Sequence, residues 1–134
     1  MAGLVWKGDQ FTRKLKRRVF NNMGAVTQFM RNEVIKSINV SQPTRRVGRR
    51  GGRMGLAPSS PGSPPKRVEG DLVKSIVASV RHDGNAVVGA YGSTQAAKAL
   101  ALEFGSPANN LEARPFLRPP LFKNAKEIAR ILAR

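Results

Sequence analysis

The chain has no cysteine, one histidine, and eight acidic residues against 24 lysines and arginines. Each shortage excludes something. Without cysteine there is neither a disulfide nor a Cys-based zinc site. The lone His82 falls where a strand is expected to run into a turn, which marks a solvated turn residue rather than a general base. The carboxylates are scattered, with no spaced pair or triad suited to acid–base work or metal binding. Ser59, Ser60 and Ser63 have no histidine placed near them. Gly48-Arg49-Arg50-Gly51-Gly52 lacks the strand before it, the helix after it and the lysine–hydroxyl ending of a P-loop. These shortages point away from an enzyme, and no cofactor is expected. Met1–Lys7 is mildly apolar but too short for a signal segment or a membrane span, so the expectation is a protein that works in solution without a membrane.

What is abundant is positive charge. The formal net charge is +16 and the pI is near 11.7, a balance that predicts a polyanionic neighbour, because lysine and arginine release condensed counterions when they meet phosphates. A soluble protein with excess basic surface is the plainer reading. At 134 residues the length suits one domain, residues 1–134, with a moderate core.

Residues 1–8 form an arm anchored by Trp6, expected to staple onto a helix or a neighbouring chain. A long helix is expected over residues 9–40. Phe11, Leu15, Val19, Met23, Val26, Met30, Val34 and Ile38 recur in steps of four or three and make one apolar face. Arg13, Lys14, Lys16, Arg17, Arg18, Arg31 and Lys36 fill the rest, and Asp9 suits the N-terminal end. At about 1.5 Å per residue such a helix is longer than the core needs, which leaves length for partners. Residues 43–67 change character: Arg45, Arg46, Arg49, Arg50 and Arg53 stand among glycines, followed by prolines. With so little to pack, this stretch is expected to be a flexible basic loop. Its arginines suit DNA phosphates or an acidic protein partner, and the lack of interleaved aromatics argues against reading of single-stranded bases.

Residues 68–118 are expected to hold the sheet. Ile76–His82 alternates, Asp83-Gly84-Asn85 suits a hairpin turn, and Ala86–Tyr91 returns as the antiparallel strand. Thr94–Leu102 fits either a short helix or an edge strand, and Ala113–Arg118 reads as extended. After Pro119-Pro120, residues 119–134 are expected to form one closing helix of about four turns, with Phe122, Ala125, Ile128 (or Ala129) and Leu132 facing inward. The fold class is therefore α+β: a long N-terminal and a C-terminal helix packed on a small antiparallel β-sheet, with a long basic Gly/Arg/Pro loop.

Several segments, in this order, resemble a known family. Pro61-Gly62-Ser63-Pro64-Pro65 followed by Gly70-Asp71-Leu72-Val73-Lys74-Ser75-Ile76 is similar to a "PGxPP…GxLxxSI" pattern. Glu103-Phe104-Gly105 looks like an "EFG", and Arg114-Pro115-Phe116-Leu117-Arg118-Pro119 looks like an "RPFLRP". Together they resemble the head–tail joining, or tail-completion, group of minor structural proteins of long-tailed bacteriophages. The chain departs from the group's usual pattern at Ser63, where an acid is common, and at Glu69, where threonine is. The resemblance implies a non-enzymatic virion neck protein. It would form a six- or twelvefold ring between the portal or adaptor side of the head and the tail tube or tail terminator, with double-stranded genomic DNA passing through the lumen. From the residues alone, a small basic nucleic-acid-binding protein of DNA-binding or ribosomal type is the competing expectation. Arg114 and Arg118 suit ion pairs better than DNA, with Glu103 the obvious acid, and Phe116 is expected in the core.

Overall fold

The computed structural model describes residues 3, 5–39, 46–48, 54–56, 59–65 and 70–134. A single helix, α1 (Gly8–Asn39), runs the length of the fold, one residue offset at each end from the expected bounds. Asp9 lies in its first turn, where a carboxylate favours the dipole. The Trp6 and Phe11 rings lie 6.4 Å apart, so the arm turns back onto the helix as the staple reading expects.

The central sheet is a two-stranded hairpin of β3 (Ile76–Val80) and β4 (Ala86–Ala90), paired from Ile76↔Ala90 to Val80↔Ala86. Its alternation is the expected one: Ile76 is buried and Ala78 and Val80 are half-buried, while Val77 and Ser79 face out. The turn closes through Arg81 N–H to Asn85 O (2.8 Å), and the Asp83 carboxylate accepts from the Asn85 backbone (2.9 Å). Ahead of β3 lies α2 (Asp71–Ser75), and after β4 comes α3 (Ser93–Phe104), so the stretch that fitted either a helix or an edge strand is a helix. The chain is thus α+β. The 68–118 region holds more helix than expected. Ala113–Phe116 carries no helix and adds no strand to the hairpin. Leu117 is already in the helical region and Arg118 opens a helix, so the expected extended stretch is shorter; a Ser106↔Leu111 bridge lies nearby.

Two clusters make the core. Val34 and Ile38 of α1 meet Leu72, Ile76, Ala99 and Phe116, and Phe116 is fully buried as expected. Further up α1, Val26 and Met30 meet Ile131, and Val88 of β4 touches both clusters.

The basic stretch carries an element that its composition does not announce. Within residues 43–67, β1 (Arg46–Gly48) and β2 (Met54–Leu56) form an antiparallel ribbon with Val47 opposite Gly55, and further on Ser59 and Pro65 are buried. An antiparallel ladder needs only backbone donors and acceptors, so a stretch poor in core-forming side chains can still pair. The expected single closing helix is instead two helices, α4 (Arg118–Lys123) and α5 (Ala125–Leu132), broken at Asn124. The Asn124 side-chain amide donates to Pro120 O (2.8 Å), where its own backbone N–H also donates (3.1 Å). Such a side chain competes for the carbonyl that the backbone uses, although the ladder resumes with Ile128 N–H donating to Asn124 O at 2.9 Å. Ile128 turns to α1 as expected, joined there by Ile131, whereas Phe122, Ala125 and Leu132 are exposed.

Candidate functional site

Two features stand out from the core: a polar clasp around Glu103, and the first half of α1. The clasp is where the segments of the resemblance meet. Helix α4 begins Arg118-Pro119-Pro120, and its two prolines have no N–H to satisfy. The N–H groups just ahead of them do need acceptors, and Glu103, at the end of α3, supplies them. Its carboxylate accepts from Phe116 N–H (2.8 Å), Leu117 N–H (3.0 Å) and Arg118 N–H (3.1 Å), and from the Arg118 guanidinium at 2.9 Å. Burial alone would raise the Glu103 pKa. The amides of Leu117 and Phe116, the Arg118 side chain and the Arg118 amide outweigh it and hold the carboxyl below its ordinary value. Arg118 therefore has the acid expected for it, and its guanidinium also lies 4.6 Å from the centre of the Phe104 ring. Arg114 differs from expectation: it makes no ion pair among the described residues and instead donates through Nε to Ser59 O at 3.0 Å.

Gly105 follows with φ +81° and ψ 170°, a backbone region almost closed to other residues. A Cβ there would stand 3.0 Å from Leu111 O and 3.2 Å from Ala113 N. The glycine thus lets the chain double back so that Arg114 N–H reaches Leu102 O (2.6 Å). The Pro61-Gly62 turn, with Gly62 at φ +79°, donates Gly62 N–H to Ala113 O at 2.9 Å. Gly70 is buried ahead of α2, and Leu72 and Ile76 join Phe116 in the core. Ser75 Oγ donates to Leu72 O (2.7 Å). Pro64 and Pro115 are half-buried, as is Leu117, whereas Pro61 and Pro119 are exposed. These segments therefore converge on Phe116 as a scaffold, and their polar groups are engaged with one another. The sequence pointed to Arg118–Glu103, but the capping of α4 by a residue of α3 was hidden, because only the fold brings positions 103 and 116–118 together.

Arg46 lies in β1, and Arg45, Arg49, Arg50 and Arg53 fall outside the described residues. His82 is exposed beside its turn. Among the described residues, no group of three or more His, Cys, Asp or Glu side chains could hold a metal, and no helix is long and apolar enough to cross a membrane. A groove of about 340 Å³ lies between α1, β4 and α4, lined by Val26, Met30, Val34, Val88, Leu117 and Leu121, with Thr27, Ala86 and Arg118. Thr27 Oγ donates to Met23 O and Arg118 is held by Glu103, so the groove suits apolar side chains better than a polar substrate.

The second feature is larger. Every residue from Asp9 to Asn21 is exposed, although the apolar spacing that buries Val26, Met30, Val34 and Ile38 continues through them. Phe11 is 60% exposed, and Leu15 and Val19 are each 49% exposed. At 3.6 residues per turn these three fall within an arc of about 80°. Lys14 and Arg18 border the arc on one side and Lys16 on the other, with Arg13 and Arg17 behind. Roughly 20 Å of amphipathic, cationic helix thus stands clear of the fold. Contiguous exposed apolar surface of this kind marks an interaction site.

No family model, curated protein or solved structure matches this chain.

Proposed function

We propose that the chain is a structural subunit of a virion neck: a ring-forming head–tail connector or tail-completion protein with no catalytic role. The observation that carries this reading is the exposed apolar stripe of α1, which continues the buried face of the same helix and stays largely in solvent among the described residues. A monomer gains nothing from holding Phe11, Leu15 and Val19 in water, whereas a subunit of an assembly buries them. The resemblance of residues 61–76, 103–105 and 114–119 to the tail-completion group supports the same reading, as does their joint service to one scaffold rather than to a reactive centre. The net charge of +16 suits the wall of a channel through which duplex DNA passes, because phosphate contact without base reading retains the DNA without fixing its register. On this reading the neighbours are other copies in a hexamer or dodecamer, the portal or adaptor side of the neck, and the tail tube or its terminator. The arginines of residues 45–53 face DNA or an acidic neighbouring ring.

The cationic arc of α1 gives the competing reading, a small basic nucleic-acid-binding protein, its own observation. Native mass spectrometry of nuclease-treated protein across a salt series separates the two. A discrete six- or twelvefold species that persists at high salt is the expected result. A monomer that binds duplex DNA with a steep salt dependence would replace the neck reading with the binding protein.

A further inference from the structure

We infer that the exposed stripe of α1 in one subunit packs against the exposed face of α3 in the next, so that assembly is head-to-tail through two different surfaces of the same chain. This contact rests on the ring reading above and names its two sides.

The first side is Phe11, Leu15 and Val19. Two copies of this stripe cannot pair well with each other. Arg13, Lys14, Lys16, Arg17 and Arg18 surround it with only Asp9 in opposition, and a symmetric pairing would set two such clusters face to face. The stripe therefore needs a different apolar surface in less cationic surroundings. Among the described residues the outer hairpin face shows Val77 and Val87, but Lys74 and Arg81 lie beside it, and the exposed apolar residues of α4 and α5 lie among Lys123, Lys126 and Arg130. Residues 91–113 are different. Their only cation is Lys98, offset by Glu112, since the buried Glu103 is already engaged by Arg118. Here α3 carries the second side, Ala96, Leu100 and Phe104, spaced by four like the stripe it would meet and likewise exposed, with Leu100 and Phe104 at 62%. The small Ala96 allows close approach of a second helix, and ridges of residues four apart interdigitate between helices. The last turn of α3 has no basic residue of its own. Its carbonyl end already accepts one cation, the Arg118 guanidinium donating to Glu103 O at 3.4 Å, a kind of contact that cations beside the stripe would extend. Arg118 lies against the Phe104 ring, but its charge is taken up by Glu103.

A contact between unlike surfaces repeats from subunit to subunit and makes a ring when the rotation closes. Three turns against three turns is a small interface by the standard of stable pairs. Closure gives every subunit two such contacts, so assembly should be steep in concentration.

The absence of cysteine makes the test clean. Leu15→Cys and Leu100→Cys are placed in one otherwise intact chain, the protein is concentrated, and a short bis-maleimide is added before denaturing electrophoresis. The expected result is a ladder of covalent multimers with at least tenfold more product than either single variant gives. A double variant that cross-links no better than the singles overturns the contact, and so does a Leu15→Cys variant that forms dimers alone. Leu15→Asp and Leu100→Asp, both at exposed positions, should each raise the concentration for half-assembly at least tenfold without lowering Tm. If the wild-type ring forms and neither variant disturbs it, this contact is wrong and the ring reading stands. If the wild type is monomeric at every concentration and the double variant never cross-links, both fall.

Discussion

The two halves of α1 share one pattern and have opposite fates. From Asn22 to Asn39 the apolar positions meet the hairpin, α5 and the Phe116 cluster, and Val34 and Ile38 are buried. From Asp9 to Asn21 the same spacing stays exposed among the described residues, with only Trp6 of the arm drawn against Phe11. Periodicity states which face of a helix is apolar, and it does not state what covers that face. The cover comes from the length of the elements packed alongside. The hairpin strands have five residues each and α5 ends at Leu132, whose carbonyl accepts from Asn22 Nδ2 at 3.2 Å. Beyond Asn22 the described chain brings α1 only its own preceding arm, with Trp6 against Phe11. Charge divides the halves as well: the exposed half carries five of its six charged side chains as cations between Asp9 and Arg18.

Substitutions that act on one half alone sharpen this contrast. The largest effect belongs to the core that the buried half rests on. Phe116→Ala should lower stability by about 3–5 kcal/mol in denaturant unfolding, and Ile38→Ala by about 2–5 kcal/mol. Next is Gly105→Ala, which forces a side chain into a glycine-only backbone region against Leu111 O and should cost about 1–3 kcal/mol. A similar loss, about 1–3 kcal/mol, is expected for Glu103→Gln, because a carboxamide cannot accept from all the N–H groups that the carboxylate serves.

The pH dependence of stability follows from the same carboxylate. Its pKa in the fold lies below the ordinary value of 4.5, so it stabilises the folded state fully above that value and progressively less as pH falls below it. Thermal unfolding across the acid range should show this slope in the wild type and a shallower one in Glu103→Gln. The smallest effect is expected in the other half: Leu15→Ala should change the stability of the dilute protein by no more than about 0.5 kcal/mol. A loss there as large as that of Ile38→Ala would erase the distinction between the halves.

Much of this was legible in the residues. The eight apolar positions of α1, the alternation of β3, the Asp83-Gly84-Asn85 turn and the core place of Phe116 all declare themselves through local spacing and turn chemistry. The partner of Arg118 could be named because Glu103 is one of so few acids. Other features were hidden for identifiable reasons. The break at Asn124 depends on a side chain that competes for Pro120 O. The choice of Ile131 over Leu132 beside Ile128 at the α1 interface depends on how α5 lies on α1, since both fit a helical face with Ile128. The β1–β2 ribbon is held by backbone pairing, which composition does not register. The capping of α4 by Glu103 joins residues 13 to 15 positions apart that only the return at Gly105 brings together.

The division of α1 is tested most directly by amide hydrogen exchange, measured at low and at high protein concentration. In the dilute protein, amides of residues 22–39 should exchange slowly. Those of residues 9–21 should exchange fast, because a helix of that length without tertiary cover is marginal in water. On concentration, protection should rise over residues 9–21 alone as another copy covers the stripe. Equal protection of both halves in the dilute monomer, or an amino-terminal half still unprotected at every concentration, would contradict the account.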